Sequence, residues 1–405
     1  MAKPIPPRSS DKIDVALVLL LTLLVALGPL SISFYVSSLP AIGRDLGADS
    51  SLVQKTLTVY LAGFALGQLF FGPLSDRYGR RPVMFCGLIA YIAATIFCAM
   101  AWDISALLIG RFLQGLAACV APVVGRAVVR DMFEGKAAIK AFSLIGAVIG
   151  LAPAIGPAIG GLIQEGFGWR ANFIALTCMA LVITVWVGAK LGETIRERNM
   201  DALQPRRLIG NYAGLLANRS YMAYVGVVSL GFCGMFAYTT DASFLFISAM
   251  GLRESIFGLL IVFTTGAFVT GNITGSRLIA SGLVRGPVLI RIGIAIELVG
   301  GLLMLWRSPE LSILNVVAPM MVYMIGFGMV LPAGFAGALQ PFPRVAGSAS
   351  AMLGCMQMGL GAVTSAVAAT LYQGTAHSLA GIMIFAAVAG FLVFLILPRS
   401  QPGAI

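Results

Sequence analysis

Gly72-Pro-Leu-Ser-Asp-Arg-Tyr-Gly-Arg-Arg-Pro82 is a short, densely charged stretch set between two long apolar runs. Hydrocarbon cannot solvate an acid and three arginines in so few positions, so the stretch belongs at a membrane face. Its glycines and prolines predict a tight, oriented turn. The stretch therefore marks one side of a membrane, and the rest of the chain can be read outward from it.

The 405 residues are 59% hydrophobic and only 11% charged, with a mean hydropathy of +0.95. Soluble domains carry about one quarter charged residues, and a water-soluble chain could not hide this much apolar surface. A polytopic membrane protein follows. The 48 glycines agree, because small residues let membrane helices approach closely. The net charge of +11 does not imply nucleic acid: the basic residues fall in loops on one side of the predicted membrane. Cys86, Cys98, Cys119, Cys178, Cys233 and Cys355 all lie in apolar segments without metal-ligand spacing and read as packing residues. The run Val15–Val36 is too long for a signal-peptide core and has no clean cleavage site, so it reads as the first spanning helix.

A span needs about 20 mostly apolar residues. This places twelve spans near 15–37, 52–74, 83–102, 105–128, 139–162, 171–189, 219–244, 255–278, 287–306, 311–334, 347–371 and 379–397. Lys3, Arg8 and Lys12, the arginines at 77, 80 and 81, Arg130, Lys136 and Lys140, the cluster from Lys190 to Arg219, and Arg277, Arg285, Arg344 and Arg399 share one side. The opposite side holds little beyond Arg44, Lys55, Arg170, Arg253 and Arg307. The first side is predicted to be cytoplasmic, with both termini inside. The polar stretch 192–218 divides the chain into six-helix halves, 1–191 and 219–405, and is too short to be a catalytic domain. The halves share a faint pattern: Tyr35-Val-Ser-Ser-Leu-Pro40 ends the first span and Tyr238-Thr-Thr-Asp-Ala-Ser243 the seventh. Duplicated helix units around a central cavity are the physical recipe for alternating access.

Four segments resemble the major facilitator superfamily, and within it the twelve-span drug:proton antiporters of the bicyclomycin and chloramphenicol resistance branch. They are Gly72–Arg81, Arg111-Phe-Leu-Gln-Gly115, Gly156-Pro-Ala-Ile-Gly-Gly161 preceded by Gly150 and Pro153, and Gly168-Trp-Arg170 with Phe173. The resemblance implies an all-α fold of two pseudo-symmetric six-helix halves in a bacterial inner membrane. It implies a secondary exporter of drugs, antibiotics, siderophores or metabolites, with no cofactor beyond a proton gradient. The partners it implies are small-molecule cargo, protons and membrane lipid, the chain itself being monomeric. It further implies that Asp76 pairs with Arg77 or Arg80 and meets the turn before Gly347 as a cytoplasmic gate, with Arg81, Arg130 and Asp131 beside it. The motif through Gly150, Pro153, Gly156, Pro157, Gly160 and Gly161 lies wholly within a span. It therefore reads as close packing at a hinge between the halves, and not as a nucleotide loop.

Arg111 is the sharpest single residue. A charged arginine at the centre of a spanning helix costs about 2.5–3.5 kcal/mol on insertion scales. With Gln114 one turn later, it reads either as a cavity cation facing cargo or as a structural cation tying spans one and four. The resembling branch carries an acid in span one where this chain has Ser33 in Ile32-Ser-Phe-Tyr-Val-Ser37, and a serine carries no titrating proton. The remaining candidates for coupling are Asp241 in span seven, which is preferred, and Glu297 in span nine. Without the span-one acid the first half is positive, which favours neutral, zwitterionic or anionic cargo. Tyr35, Phe236 and Tyr238, together with Phe34, Phe64 and Phe232, could stack on planar cargo. Gln68 is the preferred polar cavity contact over Asn172 and Asn272. With one histidine, His377, and no nucleophile or metal motif, an enzyme is not expected. A proton-coupled importer and a facilitator without a proton step remain open beside export.

Overall fold

The computed structural model describes residues 15–133, 152–195, 198–307, 311–342 and 345–395. Among these, eleven helices are long and apolar enough to cross a membrane. In chain order the helices are α1 (Val15–Val36), α2 (Leu39–Leu46), α3 (Ser50–Tyr78), α4 (Arg80–Ala99), α5 (Ile104–Ala118), α6 (Val120–Met132), α7 (152–167), α8 (Trp169–Lys190) and α9 (Pro205–Ala217). They continue with α10 (Arg219–Ser243), α11 (Glu254–Ala280), α12 (Gly286–Arg307), α13 (Ile313–Leu339), α14 (Ala346–Leu371) and α15 (His377–Leu395). Helices α5 and α6 together form the fourth span, and a π-helical turn, Phe244–Ala249, extends the seventh. Helix α7 falls in the predicted fifth span, the start of which, with Gly150, lies outside the described residues.

One local reading is corrected, and two connections hold helices of their own. The charged stretch at 72–82 is mostly helix: α3 runs through Pro73 and Asp76 to Tyr78, and Gly79 at φ 105° is the whole turn before α4. A proline is tolerated there because a helix at a membrane face can re-satisfy the freed carbonyl. The linker 192–218 contains α9, whose Tyr212 hydroxyl donates to the Leu69 carbonyl at 3.0 Å. The connection between the first two spans holds α2, started by Pro40 and ended by Gly47 in the left-handed region. There the Arg170 guanidinium and the Trp169 indole hold the Asp45 carboxyl below the usual carboxylate range.

Helix pairs are drawn into backbone contact at glycines, since lipid supplies no hydrophobic drive between apolar faces and packing must do the work. A Cβ at Gly115 on α5 would stand 2.1 Å from the Tyr60 carbonyl oxygen on α3, and one at Gly63 would stand 2.3 Å from the Phe112 carbonyl. Gly271 and Gly328 do the same between α11 and α13. Gly156 and Gly160 bring α7 onto Ser33 and Phe34 of α1, while Gly161 and Gly258 bring α7 onto α11.

The apolar core is distributed unequally across the membrane. At the face opposite the arginines, one cluster joins Tyr35, Val53, Leu107 and Phe173 to Tyr238, Phe246, Phe257 and Leu379, so both halves of the chain share it. Toward the arginine face the core divides into a cluster built mainly from the first half and two from the second.

Substituting Gly115 by Val forces α3 and α5 apart. We expect a loss of at least about 1–3 kcal/mol, as for overpacked cores. Thermal unfolding of the purified protein checks this. Gly381→Ala, at a site with nothing within 4 Å, should leave the transition unmoved.

Candidate transport site

Two buried polar centres and one surface latch carry the polar chemistry of the bundle. The latch forms where α3 ends. Arg80 donates from Nη1 to Asp76 Oδ1 at 2.5 Å and to Ser75 Oγ at 2.6 Å, and from Nε to Asp131 Oδ2 at 3.0 Å. Its side chain is almost wholly buried between carboxylates that keep some exposure. A planar guanidinium is suited to holding three acceptors at once. Arg80 is thus the arginine that meets Asp76. Arg77 lies against Tyr78, Arg81 donates to the Gly188 carbonyl at 3.1 Å, and Arg130 is exposed. Part of the turn before Gly347 lies outside the described residues.

Glu193 in the linker completes the latch and escaped the sequence reading. Its Oε1 accepts from the backbone N–H groups of Arg80, Thr194 and Ile195 at 2.9, 3.0 and 3.1 Å. Glycine is required at 79 by its φ of 105°, which residues with a side chain rarely adopt, and a Cβ there would also press on Glu193 Oε2. The available signal was an acid at the very end of span six, where a linker begins.

The first buried centre surrounds Arg111, which has no exposed surface. The guanidinium carbon lies 4.2 Å from the ring centroids of both Tyr35 and Tyr60 and 6.0 Å from that of Phe173. Nη1 donates to Gln114 Oε1 at 2.5 Å and to the Ser31 carbonyl at 3.3 Å, while Nε and Nη2 have no hydrogen-bond partner. Gln114 passes the contact on to Thr95, and Ser31 Oγ meets the Tyr91 hydroxyl at 2.6 Å. The Tyr35 hydroxyl is hydrogen-bonded to Thr56. Aromatic faces stabilise a desolvated cation by about 2 kcal/mol or more. Arg111 therefore ties α1, α3 and α5 together, and its charge has no carboxylate counterpart among the described residues.

Ser33 does not join this centre. It packs on Gly156, where an added Cβ would stand 2.3 Å from Ser33 Cβ, so position 33 faces α7. Ser37 likewise donates to the Pro157 carbonyl at 2.8 Å. Ser31, two residues earlier, is the group that reaches Arg111. Of the motif glycines, Gly156 and Gly160 meet α1 and Gly161 meets Glu254 of α11; Pro153 shares α7 with them.

The second buried centre is Asp241 at the end of α10, and the other buried carboxyl of the second half, Glu297, lies apart from it beside Gly231, about three turns earlier on α10. Asp241 has no exposed surface, and Gln54 Nε2 donates to its Oδ1 at 3.1 Å. Asp241 is not solvated at the membrane surface, because the π turn and the shared apolar core cover the end of α10. Glu297 is only 2% exposed and its Oε1 has no partner. It faces neither lipid headgroups nor a subunit. Gly231 on α10 and Gly326 on α13 leave room for its side chain inside the second half. Gln68 is wedged against Gly354 of α14, between the halves. Phe236 packs on Gly361 and stacks with Phe232, and the Tyr238 ring meets Phe246 edge-on at 6.5 Å. Arg126, inside the fourth span, keeps a half-buried side chain toward the arginine face.

The arrangement has the parts of a moving carrier: glycine-faced helices, a breakable charged latch, and isolated charges in low dielectric. Residues 21–366 match the Major Facilitator Superfamily. The chain belongs to that family. Among relatives, it is 32% identical over 398 residues to the uncharacterized transporter of this superfamily, YdgK, of Bacillus subtilis, covering 97% and 98% of the two chains. It is 30% identical over 374 residues to multidrug resistance protein D of Escherichia coli, covering 91% and 92%. A crystal structure of a peptide transporter, 13% identical, superposes with a TM-score of 0.77 over 97% of this chain and 95% of that one. The chain is thus an all-α, multi-pass membrane transporter of the Major Facilitator Superfamily that moves small molecules, and it is not an enzyme.

Replacing Arg80 by Lys keeps the charge but removes the fork that spans Asp76 and Asp131. We expect transport to slow by about tenfold with little change in protein abundance. Initial rates in proteoliposomes, normalised to reconstituted protein, check this.

Proposed function

We propose that the protein exports small organic molecules across the bacterial cytoplasmic membrane by proton antiport, in the manner of the bicyclomycin and chloramphenicol resistance branch. Two six-helix units, 1–191 and 219–405, rock about a central site, with the linker 192–218 and both termini in the cytoplasm. The cargo class is neutral, zwitterionic or anionic. The observation that carries this reading is Arg111, a fully buried cation without a carboxylate partner among the described residues. A fixed positive charge in the first half opposes lipophilic cations and attracts carboxylates. Asp241 and Glu297 supply the titratable groups, both in the second half. The likeness to multidrug resistance protein D supports the export direction. The shared core at the outer face and the divided core at the inner face fit a carrier directed toward the cytoplasm.

A facilitator without a proton step is the second reading, and Ser33 favours it. The position that holds an acid in the resembling branch is filled here by a small side chain tight against Gly156.

Both readings are tested in proteoliposomes carrying a pH gradient, with chloramphenicol and a small aromatic carboxylate as cargo and internal pH followed during transport. Antiport predicts cargo and protons moving in opposite directions, loss of that proton movement in D241N or E297Q, and loss of carboxylate transport in R111A. Movement in the same direction would establish import. Cargo movement with no pH change would establish the facilitator.

A further inference from the structure

At the outer end of the bundle the two halves meet across a buried polar seam. Gln54 on α3 donates from Nε2 to Asp241 Oδ1 at 3.1 Å and to the Thr240 carbonyl at 3.2 Å, both on α10. Beside it, Thr58 donates to Ser365 Oγ on α14 at 3.0 Å, and the Thr240 hydroxyl meets the same Ser365 at 2.9 Å. Gln54, Thr240, Asp241 and Ser365 have no exposed surface. Two oxygens are left over. Gln54 Oε1 and Asp241 Oδ2 are both buried, and neither has a hydrogen-bond partner.

Counting donors shows what the seam lacks. An ionised carboxylate only accepts, and a primary amide offers two N–H donors and one carbonyl acceptor. The Gln54 amide already donates to Asp241 and Thr240, so nothing in the pair can donate to the two remaining oxygens. One proton on Asp241 Oδ2 supplies the missing donor. A carboxylic acid and a primary amide then close on each other through paired N–H···O and O–H···O bonds. Without that proton, a carboxylate stays buried with a single donor and no cation, an arrangement that favours opening to water.

We propose that Gln54 is the positioning residue of a proton-operated outer gate, in which protonated Asp241 closes a second hydrogen bond onto Gln54 and locks α3 to α10. The proton passes from hydronium in the outer water to the Asp241 carboxylate, giving a carboxylic acid and water. The reverse transfer returns it, and no other bond is made or broken. The proposal rests on the reading of Asp241 as a coupling acid and adds the group that senses its protonation. For an exporter the sign is useful: cargo leaves through an open outer side, and an entering proton then closes it.

The surroundings leave this pair to act alone. Titratable groups on the elements packed around it are Tyr35 on α1, Lys55 on α3, Tyr238 on α10 itself, Tyr323 on α13, Tyr372 just after α14 and His377 on α15. Lys55 and His377 are exposed, Tyr35 is hydrogen-bonded to Thr56, and the Tyr323 hydroxyl donates to the Gly231 carbonyl. Tyr372 interacts electrostatically with Asp241, and it is neutral across the physiological range. On α2, Arg44 and Asp45 engage Glu254 and Arg170.

The test reads the outer opening directly in the full-length protein. Spin labels go on W102C and L311C, exposed positions at the outer ends of the first and second halves, with Cys86, Cys178 and Cys355 replaced by serine. Distances are recorded in nanodiscs at about pH 8 and about pH 3.5, on either side of the ordinary aspartate value of about 3.9. The labelled parent should shift toward the short distance on acidification. D241N should hold the short distance at both values, because its amide donates to Gln54 permanently, and Q54L should lose the shift. A D241N protein that still shifts as the parent does, or a Q54L protein that keeps the full shift, overturns the gate. Proton-coupled transport of the same variants is scored separately. Loss of coupling in D241N with the pH shift intact would leave Asp241 as a coupling acid and remove the gate.

Discussion

Backbone contact between helices is the constraint from which the rest of this molecule follows. In a membrane the solvent is as apolar as the helices, so helices hold together only where side chains let them approach closely. Gly63 and Gly115 seat α3 on α5, and Gly271 and Gly328 seat α11 on α13. The close seating of α5 brings Arg111 into the cleft between Tyr35 and Tyr60. The close seating of α7 on α1 turns position 33 toward Gly156 and away from the contacts of Arg111. Packing thus decides which polar groups can meet, and the charges are arranged within what packing allows.

The result is an asymmetric carrier. Fixed positive charge sits in the first half at Arg111, where the faces of Tyr35 and Tyr60 surround it. The titratable carboxyls sit in the second half, at Asp241 and Glu297, each without a cation among the described residues. Contacts across the halves are rich at the face opposite the arginines, where Gln54, Thr58, Thr240 and Ser365 interlock and one apolar core is shared. At the arginine face the latch of Asp76, Arg80, Asp131 and Glu193 stays within the first half and its linker. Such a latch can stiffen one half as a rigid body while the other moves against it.

Much of this was legible in the sequence, and the gaps have physical causes. Span positions were readable because hydrocarbon thickness fixes helix length and glycine density marks close packing. The sequence leaves two arginines for Asp76, and the turn at Gly79, which starts α4 at Arg80 beside the end of α3, selects Arg80. Ser33 stands where the resembling branch carries an acid, but a motif fixes a position along a helix and not the face it presents, which here is toward Gly156. Gln54 and Glu193 were passed over because each lies near a span end, where polar residues are common and only a partner from a distant span gives them meaning. The surroundings of Glu297 were not legible, because its access to the interior depends on glycines at 231 and 326, on other helices.

The central claim is that a fixed cation is buried in one half while the carboxyls that take up protons are buried in the other. Difference infrared spectroscopy of the reconstituted protein on acidification reads it most directly, in the carbonyl band of protonated carboxylic acids. The account predicts a band that loses separate components in D241N and in E297Q and persists in R111A. A band untouched by both carboxyl substitutions would contradict it.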